Sequence, residues 1–169
     1  MPWQLQLHLR AARAEEAALL SDIALASKAH WPYPAAQLAR WRNDLKVEPA
    51  QLDERYARVA EVSGEVSGEV AGFVVIVPPQ RQADTNAEWL LDHLWVVPGH
   101  MGRGIGRALL MAARQLAAAQ GASSLHIDAD PYAEAFYQAF GAQRIGAIAA
   151  PIEGQPERQR PQLRLVTTD

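Results

Sequence analysis

The segment WVVPGHMGRGIGRALL, residues 95–110, decides how the chain folds. A β-rich run stops at Pro98, several glycines follow, and an amphipathic helix pattern begins among the last of them. The glycines are Gly99, Gly102, Gly104 and Gly106. Glycines let backbone N–H groups point toward one position without a Cβ in the way, and a helix start adds unpaired amides and a positive dipole end. The segment therefore predicts a site for phosphate oxygens, with the charges of Arg103 and Arg107 nearby.

Two familiar phosphate-binding loops do not fit this segment. A kinase-type P-loop ends in Gly-Lys-Ser or Gly-Lys-Thr, whereas Gly106 is followed by Arg107 and Ala108. A dinucleotide fingerprint needs a glycine at position 107 and normally opens the first βαβ unit, whereas this segment lies past the middle of the chain. A glycine-rich turn without a ligand is the alternative at this point.

The hydrophobic periodicity of the chain predicts both strands and helices. Strands are predicted at 4–9, 55–62, 70–77, 88–97, 124–128, 144–152 and 162–167. Helices are predicted at 14–29, 35–45, 103–120 and 131–140. The repeated Ser-Gly-Glu-Val at 63–70 and the polar stretch at 78–86 are interpreted as loops.

This order of elements predicts an α/β (α+β) fold with a mixed central sheet. The strands at 55–62, 70–77 and 88–97 are joined by short loops and should pair antiparallel, and the helix that follows requires a crossover to a parallel neighbour. About seven strands and about four helices are expected, in a single domain over residues 1–169 with its core at about 5–168.

Composition excludes several classes of protein. The chain has 169 residues, no cysteine and a formal net charge of −3. Without cysteine it has no disulfide, thiolate metal site or cysteine nucleophile, and mild acidity argues against a nucleic-acid partner. No stretch approaches the ~18 apolar residues of a membrane span, and residues 1–10 do not resemble a signal peptide. We therefore expect a cytoplasmic protein with no nucleic-acid and no membrane partner.

Two motifs resemble those of the GNAT superfamily of N-acetyltransferases. Residues 95–110 resemble its acetyl-CoA-binding motif, Gln/Arg-x-x-Gly-x-Gly/Ala, which ends at Gly104 and Gly106. Residues 130–142, DPYAEAFYQAFGA, resemble a later motif in which Asn precedes Ala, Phe-Tyr and Gly; the matching positions are Asp130, Ala133, Phe136, Tyr137 and Gly141. SKAHW, residues 27–31, resembles a bacterial subgroup. The order of elements extends the resemblance over essentially the whole chain.

The resemblance implies acetyl-CoA as co-substrate and no metal. The implied cofactor-binding residues are Leu94, Val96, Met101, Gly102, Arg103, Gly104, Ile105, Gly106, Arg107, Asp130 and Phe136. The strand backbone would hold the pantetheine and acetyl ends, and the loop amides would hold the pyrophosphate. Three positions depart from the pattern, because Met101 replaces Gln or Arg, Asp130 replaces Asn and Ala142 replaces an aromatic residue. The first removes a side-chain contact to the pyrophosphate, and the second keeps an acceptor but loses an amide donor.

The resemblance also implies catalytic and acceptor-binding residues. Tyr137 matches the general acid that lies near the sulfur, although it also belongs to an apolar stripe and could serve packing. Candidates for the base are Asp92 and His93, each of which is either functional or locked in a hydrogen bond. Strand alternation places Asp92 on the face of Leu94 and Val96, and His93 on the face of Trp95. His30, Trp31 and Tyr33 are expected at the acceptor pocket, or else as caps on the core.

The resulting expectation is an acyltransferase that moves the acetyl group of acetyl-CoA to a small-molecule amine or a protein amino group. Without a cysteine to carry the acetyl group, the amine should attack acetyl-CoA directly in a ternary complex. The resemblance allows a homodimer. His126, Asp128 and Asp130 alternate on one strand, but metal ligands usually come from more than one element. The alternatives are a non-catalytic acyl-CoA-binding or regulatory module of the same fold, and a nucleotide-binding protein that shares only the loop.

Overall fold

The computed structural model describes residues 6–63, 68–79 and 88–168. Its strands are β1 (Gln6–Ala11), β2 (Ala57–Ser63), β3 (Glu69–Val77), β4 (Trp89–Val96), β5 (Ser124–Asp128), β6 (Gln143–Ala149) and β7 (Gln159–Val166). Its helices are α1 (Ala17–Lys28), α2 (Ala35–Trp41), α3 (Ile105–Ala119) and α4 (Glu134–Ala139), and short 3-10 helices lie at Ala14–Glu16, Pro49–Gln51, Pro98–His100 and Pro131–Ala133. The predicted order of strands and helices is confirmed. Residues 4–5 of the first predicted strand, 64–67 of the repeat and 80–86 of the predicted loop lie outside the described residues.

The seven described strands form one mixed sheet in the order β1-β2-β3-β4-β5-β7-β6. Strands β1 to β4 pair antiparallel, and β5 lies parallel to β4, as the crossover through α3 requires. Strand β7 returns between β5 and β6 and pairs antiparallel with both. The predicted mixed α/β fold is confirmed, with seven strands and four α-helices among the described residues.

Helices cover both faces of the sheet because β3 is apolar on both sides. Phe73 and Val75 share a core with Leu20 of α1. Val74 and Ile76 face the opposite way, into the core that α3 covers. Among the described helices, none has the length and apolar character needed to cross a membrane.

Two predicted elements end more than one residue earlier than the periodicity indicates. The helix predicted at 35–45 ends at Trp41, and the following Asn43 and Asp44 are residue types that favour turns. The strand predicted at 144–152 ends at Ala149. The reason lies in Pro151, which has no N–H to contribute to a ladder.

Strands β3 and β4 approach each other closely at Gly72, which pairs with Val96. A Cβ on Gly72 would lie 2.5 Å from the carbonyl oxygen of Trp95 and 3.2 Å from Cα of Val96. Both neighbours are backbone atoms, which cannot turn aside as a flexible side chain can. The end of β4 therefore keeps its place only while position 72 has no side chain.

Strand β4 contains a β-bulge at Asp92. Val75 pairs with His93 and Ile76 pairs with Leu91, so Asp92 is an extra residue opposite β3. A bulge shifts the alternation of side chains along the strand by one position, so residues before and after it no longer follow a simple two-residue period.

Pairing between β4 and β5 is short. Residues Trp89, Leu90 and Leu91 pair with Leu125, His126 and Ile127. In the described residues the pairing stops at Leu91, one position before the bulge, although β4 continues to Val96. Beyond Leu91 the side of β4 that faces β5 therefore keeps backbone groups that no neighbouring strand uses.

Candidate functional site

A cavity of about 400 Å³ lies beside the unpaired half of β4. Its predicted lining residues are Trp31, Leu94, Val96, Met101, Gly102, Gly104, Ile105, Gly106, Arg107, Phe136 and Tyr137. Six further lining residues were not predicted as site residues: Ser27, Trp95, His100, Tyr132, Ala133 and Phe140. The remaining predicted residues do not line it: His30, Tyr33, Asp92, His93, Arg103 and Asp130. The structure thus brings the glycine loop and Tyr137 to one cavity.

The glycine loop builds one end of the cavity. Gly102 and Gly104 have φ values of 79° and 83°, in the left-handed region that favours glycine. Gly104 is the N-cap of α3, and no side chain caps the helix there. The first amides of α3 consequently lack intrahelical partners, and the helix dipole places positive charge beside them. This is the arrangement that binds phosphate and other anions.

The edge of β4 forms a second wall. The hydroxyl of Ser27, at the end of α1, donates a 2.8 Å hydrogen bond to the carbonyl oxygen of Val96. Ser27 is 1% exposed, so this contact is a buried tie between α1 and β4. A sequence signal for it exists, because Ser27 continues the helical spacing of the buried Leu20 and Ala24 and is the polar member of that face.

Aromatic side chains form a third wall of the cavity, at the place where the sequence predicts the acceptor pocket. Trp31 stacks on Tyr132, with ring centroids 5.1 Å apart and an interplanar angle of 10°. The His30 ring contacts the Trp31 ring in an edge-on arrangement, with centroids 5.1 Å apart, and His30 is exposed. Tyr33 is buried outside the cavity. Of the three predicted acceptor residues, Trp31 alone lines the cavity. The chain turns at Pro32, so that Tyr33 on the other side of the turn packs in the interior.

Tyr137 is a titratable residue in the lining of the cavity. It is buried in the core between α3 and the sheet, and its ring packs against Phe136 at 5.2 Å. Burial, together with the negative charge of Asp130, raises the pKa of Tyr137 far above its usual range. Among the described residues its hydroxyl has no hydrogen-bond partner. The side chain therefore presents a protonated, unused donor at physiological pH.

Asp92 and His93 lie on the α1 side of β4, not at the cavity. The expectation that Asp92 shares a face with Leu94 is wrong, because the bulge turns its carboxylate to within 3.6 Å of His93 Nε2. Gln51 donates a 2.7 Å hydrogen bond to the same carboxylate. Nδ1 of His93 accepts a hydrogen bond from the indole N–H of Trp95, so the neutral ring carries its proton on Nε2, toward Asp92. Asp92 is 41% exposed and His93 is 4% exposed.

The buried state of His93 predicts a pH dependence of stability. Burial lowers the pKa of His93, opposed by the charge of Asp92. The pKa of His93 in the folded protein lies below the unfolded value of about 6.5. The contribution of the neutral His93 ring to the free energy of unfolding is therefore fully present above about pH 6.5 and is lost as the pH falls toward the folded pKa. We expect His93→Gln to reduce the difference in thermal midpoint between about pH 7.5 and about pH 5. The exposed His8→Gln is the matched control and should behave as wild type; an unaltered difference in His93→Gln would contradict the argument.

Asp130 and Arg103 are the two predicted cofactor-binding residues that do not line the cavity. Asp130 does not line the cavity, because its carboxylate is engaged by Lys28 and Tyr33. Arg103 lies between two left-handed glycines, in an exposed part of the loop. In the ranges 6–63, 68–79 and 88–168, no group of three or more His, Asp or Glu residues is arranged to hold a metal ion.

Similarity to known proteins extends over most of the chain. A model described as the acetyltransferase (GNAT) family matches residues 19–142. The fold is similar to that of a GCN5-related N-acetyltransferase from Rhodopseudomonas palustris, with 24% identity, a TM-score of 0.71 and 98% of each chain covered. It is also similar to a GNAT family acetyltransferase from Brucella melitensis in complex with acetyl-CoA (18% identity, TM-score 0.64, 97% of this chain and 90% of that one). A third similar structure is the ribosomal-protein-S18-alanine N-acetyltransferase from Escherichia coli (18% identity, TM-score 0.64, 97% of this chain and 96% of that one). Curated protein sequences give no significant match.

Proposed function

Because the chain belongs to the acetyltransferase (GNAT) family, we propose that it is an N-acetyltransferase that moves the acetyl group of acetyl-CoA directly to a primary amine of a small molecule or protein. The observation that carries the proposal is the convergence of an uncapped helix start, an unpaired strand edge and an unpartnered tyrosine on one cavity. We place this activity in one cytoplasmic domain over residues 1–169, in the subgroup that SKAHW marks.

The cavity fits the parts of acetyl-CoA in sequence. The amides from Gly102 to Arg107 would hold the pyrophosphate. The backbone groups of Leu94 and Val96 on the edge that β5 does not pair with, other than the Val96 carbonyl bonded to Ser27, would pair with the amides of the pantetheine arm. The acetyl-CoA in the Brucella melitensis relative supports this assignment. Met101 lines the cavity where Gln or Arg is usual, so the backbone carries the phosphate contacts here.

In the proposed reaction, Asp92 acts as base and Tyr137 as acid. Because Asp92 lies on the α1 side of β4 and does not line the cavity, its exposed carboxylate takes a proton from the acceptor ammonium through water, and the neutral nitrogen attacks the thioester carbonyl. The C–S bond breaks as the C–N bond forms, and the Tyr137 hydroxyl gives its proton to the departing sulfur. The acylated nitrogen then gives its extra proton to the Tyr137 oxygen, and Asp92 releases its proton to solvent. His93 suits the base role less well, because it is buried and its Nδ1 already accepts from Trp95. The absence of cysteine supports a ternary complex over a cysteinyl intermediate.

Calorimetry followed by a thiol-release assay tests the proposal. We expect acetyl-CoA and CoA to bind, NAD not to bind, and an amine from a panel of small amines and peptide N-termini to cause release of CoA thiol. Asp92→Asn should lower turnover at least ~10-fold while acetyl-CoA affinity stays near wild type, as expected for loss of a base. Preference for NAD would contradict the proposal. Binding of acetyl-CoA without thiol release across the panel would favour the alternative of a regulatory acyl-CoA-binding module.

A further inference from the structure

A buried ionic cluster lies outside the catalytic roles described above. It consists of Asp130, Lys28, Tyr33 and Arg158, and is called the Asp130 cluster below. Oδ2 of Asp130 lies 2.5 Å from Nζ of Lys28 and accepts a 2.8 Å hydrogen bond from the Tyr33 hydroxyl. The Arg158 guanidinium lies 3.7 Å from the same oxygen and donates to the Tyr33 hydroxyl over 3.2 Å. Both cations also lie over the ring of Trp41, at 4.6 and 5.2 Å.

The carboxylate is what allows two cations to be buried here. The side chains of Asp130, Lys28 and Arg158 are 9%, 12% and 4% exposed. A buried cation without an anion is costly, and burial lowers the pKa of Lys28 against the attraction of Asp130. An asparagine, which the GNAT motif has at this position, would leave both cations without a counter-charge. The buried Lys28 therefore requires an aspartate, and not an asparagine, at position 130.

The Asp130 cluster is joined to three walls of the cavity. Oδ1 of Asp130 accepts a 2.9 Å hydrogen bond from the amide of Tyr132, at the turn that leads into α4 and Tyr137. Lys28 follows Ser27, whose hydroxyl holds the carbonyl of Val96 on β4. The ring of Tyr132 stacks on Trp31 and lies 5.6 Å from that of Tyr33.

We propose that Asp130 is a positioning residue: its carboxylate holds the end of α1, the Trp31 wall and the start of α4 in register, and thereby sets the shape of the cofactor cavity and the place of Tyr137. The proposal rests on the proposed function for its turnover measurement, and it also has a binding measurement that does not depend on turnover. Asp130, which the sequence predicts to contact the cofactor directly, thus acts through its contacts with Lys28, Tyr33 and the amide of Tyr132.

Four variants test it by thermal midpoint, calorimetric affinity for CoA and kcat/KM. Asp130→Asn should lower the midpoint by at least about 6 °C, because it leaves buried cations unpaired. Lys28→Met/Asp130→Asn restores the original net charge of the cluster but leaves Arg158 without a carboxylate, so its midpoint should return only part of the way to wild type. Its CoA affinity and kcat/KM should nevertheless stay at least ~10-fold below wild type, because the tie to the three walls is still missing. Asp128→Asn makes the same chemical change at an exposed Arg160 pair and should alter none of the three values.

Tyr33→Phe covers the case in which the double variant does not regain stability. It removes only the hydroxyl that joins Asp130 and Arg158. We expect a folded protein with severalfold weaker CoA binding and lower kcat/KM. Recovery of affinity and kcat/KM together with the midpoint in the double variant would overturn the positioning role, and so would wild-type affinity in Tyr33→Phe. If wild type binds CoA but transfers no acetyl group, the proposed function fails while the CoA affinities still decide this proposal.

Discussion

Tyr137→Phe should lower turnover at least ~10-fold while the dissociation constant for acetyl-CoA stays within about twofold of wild type. The reason is that the substitution removes one hydroxyl and keeps the ring, which packs against Phe136 in the wall of the cavity. Burial raises the pKa of Tyr137, so the hydroxyl is protonated throughout the neutral range and can donate to a departing thiolate. An interaction made only in the transition state affects kcat and kcat/KM equally.

Steady-state thiol release and calorimetry on the same preparation make the measurement. Tyr56→Phe is a matched control, since Tyr56 packs against Trp89 away from the cavity and should retain wild-type turnover. If Tyr137→Phe keeps the wild-type rate, Tyr137 is a packing residue of the α4 stripe. If the rate falls only in proportion to a weaker affinity for acetyl-CoA, the hydroxyl acts in binding and not as an acid.

Gly72→Ala should destabilise the protein and weaken acetyl-CoA binding at the same time. The new methyl would lie 2.5 Å from the carbonyl oxygen of Trp95, so β3 and β4 must move apart. Overpacking of this kind costs ~1–3 kcal/mol, which corresponds to a fall in thermal midpoint of about 2–4 °C per kcal/mol for a chain of this size. Because the displaced residues include Val96 at the cavity edge, acetyl-CoA affinity should fall about 10-fold or more.

Thermal unfolding and calorimetry on Gly72→Ala and Gly146→Ala separate this effect from the general cost of replacing a strand glycine. A Cβ at Gly146, in β6, has no atom within 4 Å among the described residues, so that variant should be close to wild type in both measurements. A stable Gly72→Ala protein with undiminished affinity would show that the β3–β4 approach does not set the position of the cavity edge.

The features that the sequence predicted correctly are those encoded locally. The glycines at 102 and 104, the proline that ends β4 and the helical period after Ile105 lie within one short segment, and together they build the loop at one end of the cavity. The placement of Phe136 and Tyr137 at the cavity likewise depends on the sequence of one short helix, α4. The parallel arrangement of β4 and β5 required only that a helix of sufficient length separate two strands.

The features that the sequence did not predict depend on distant partners. The bulge at Asp92 is a property of the β3–β4 register, and strand alternation alone assigns that carboxylate to the wrong face. The Lys28–Asp130 pair joins residues 102 positions apart, and the third charge, Arg158, comes from a further segment. No local pattern distinguishes an aspartate that contacts a cofactor from one that neutralises buried cations. Ser27 belongs to the SKAHW motif, but its role depends on a carbonyl of β4.

The short ladder between β4 and β5 has a consequence for the sheet as a whole. Three residue pairs connect one leaf, β1 to β4, with a second leaf made of β5, β7 and β6. Past this seam, β4 forgoes the cross-strand hydrogen bonds that a longer parallel ladder would make. The backbone groups released in this way are the ones that an extended, amide-containing ligand can use, as an inserted strand would. The cleft is therefore formed where the sheet lacks cross-strand hydrogen bonds, and a bound ligand of this kind would supply hydrogen bonds between its two leaves.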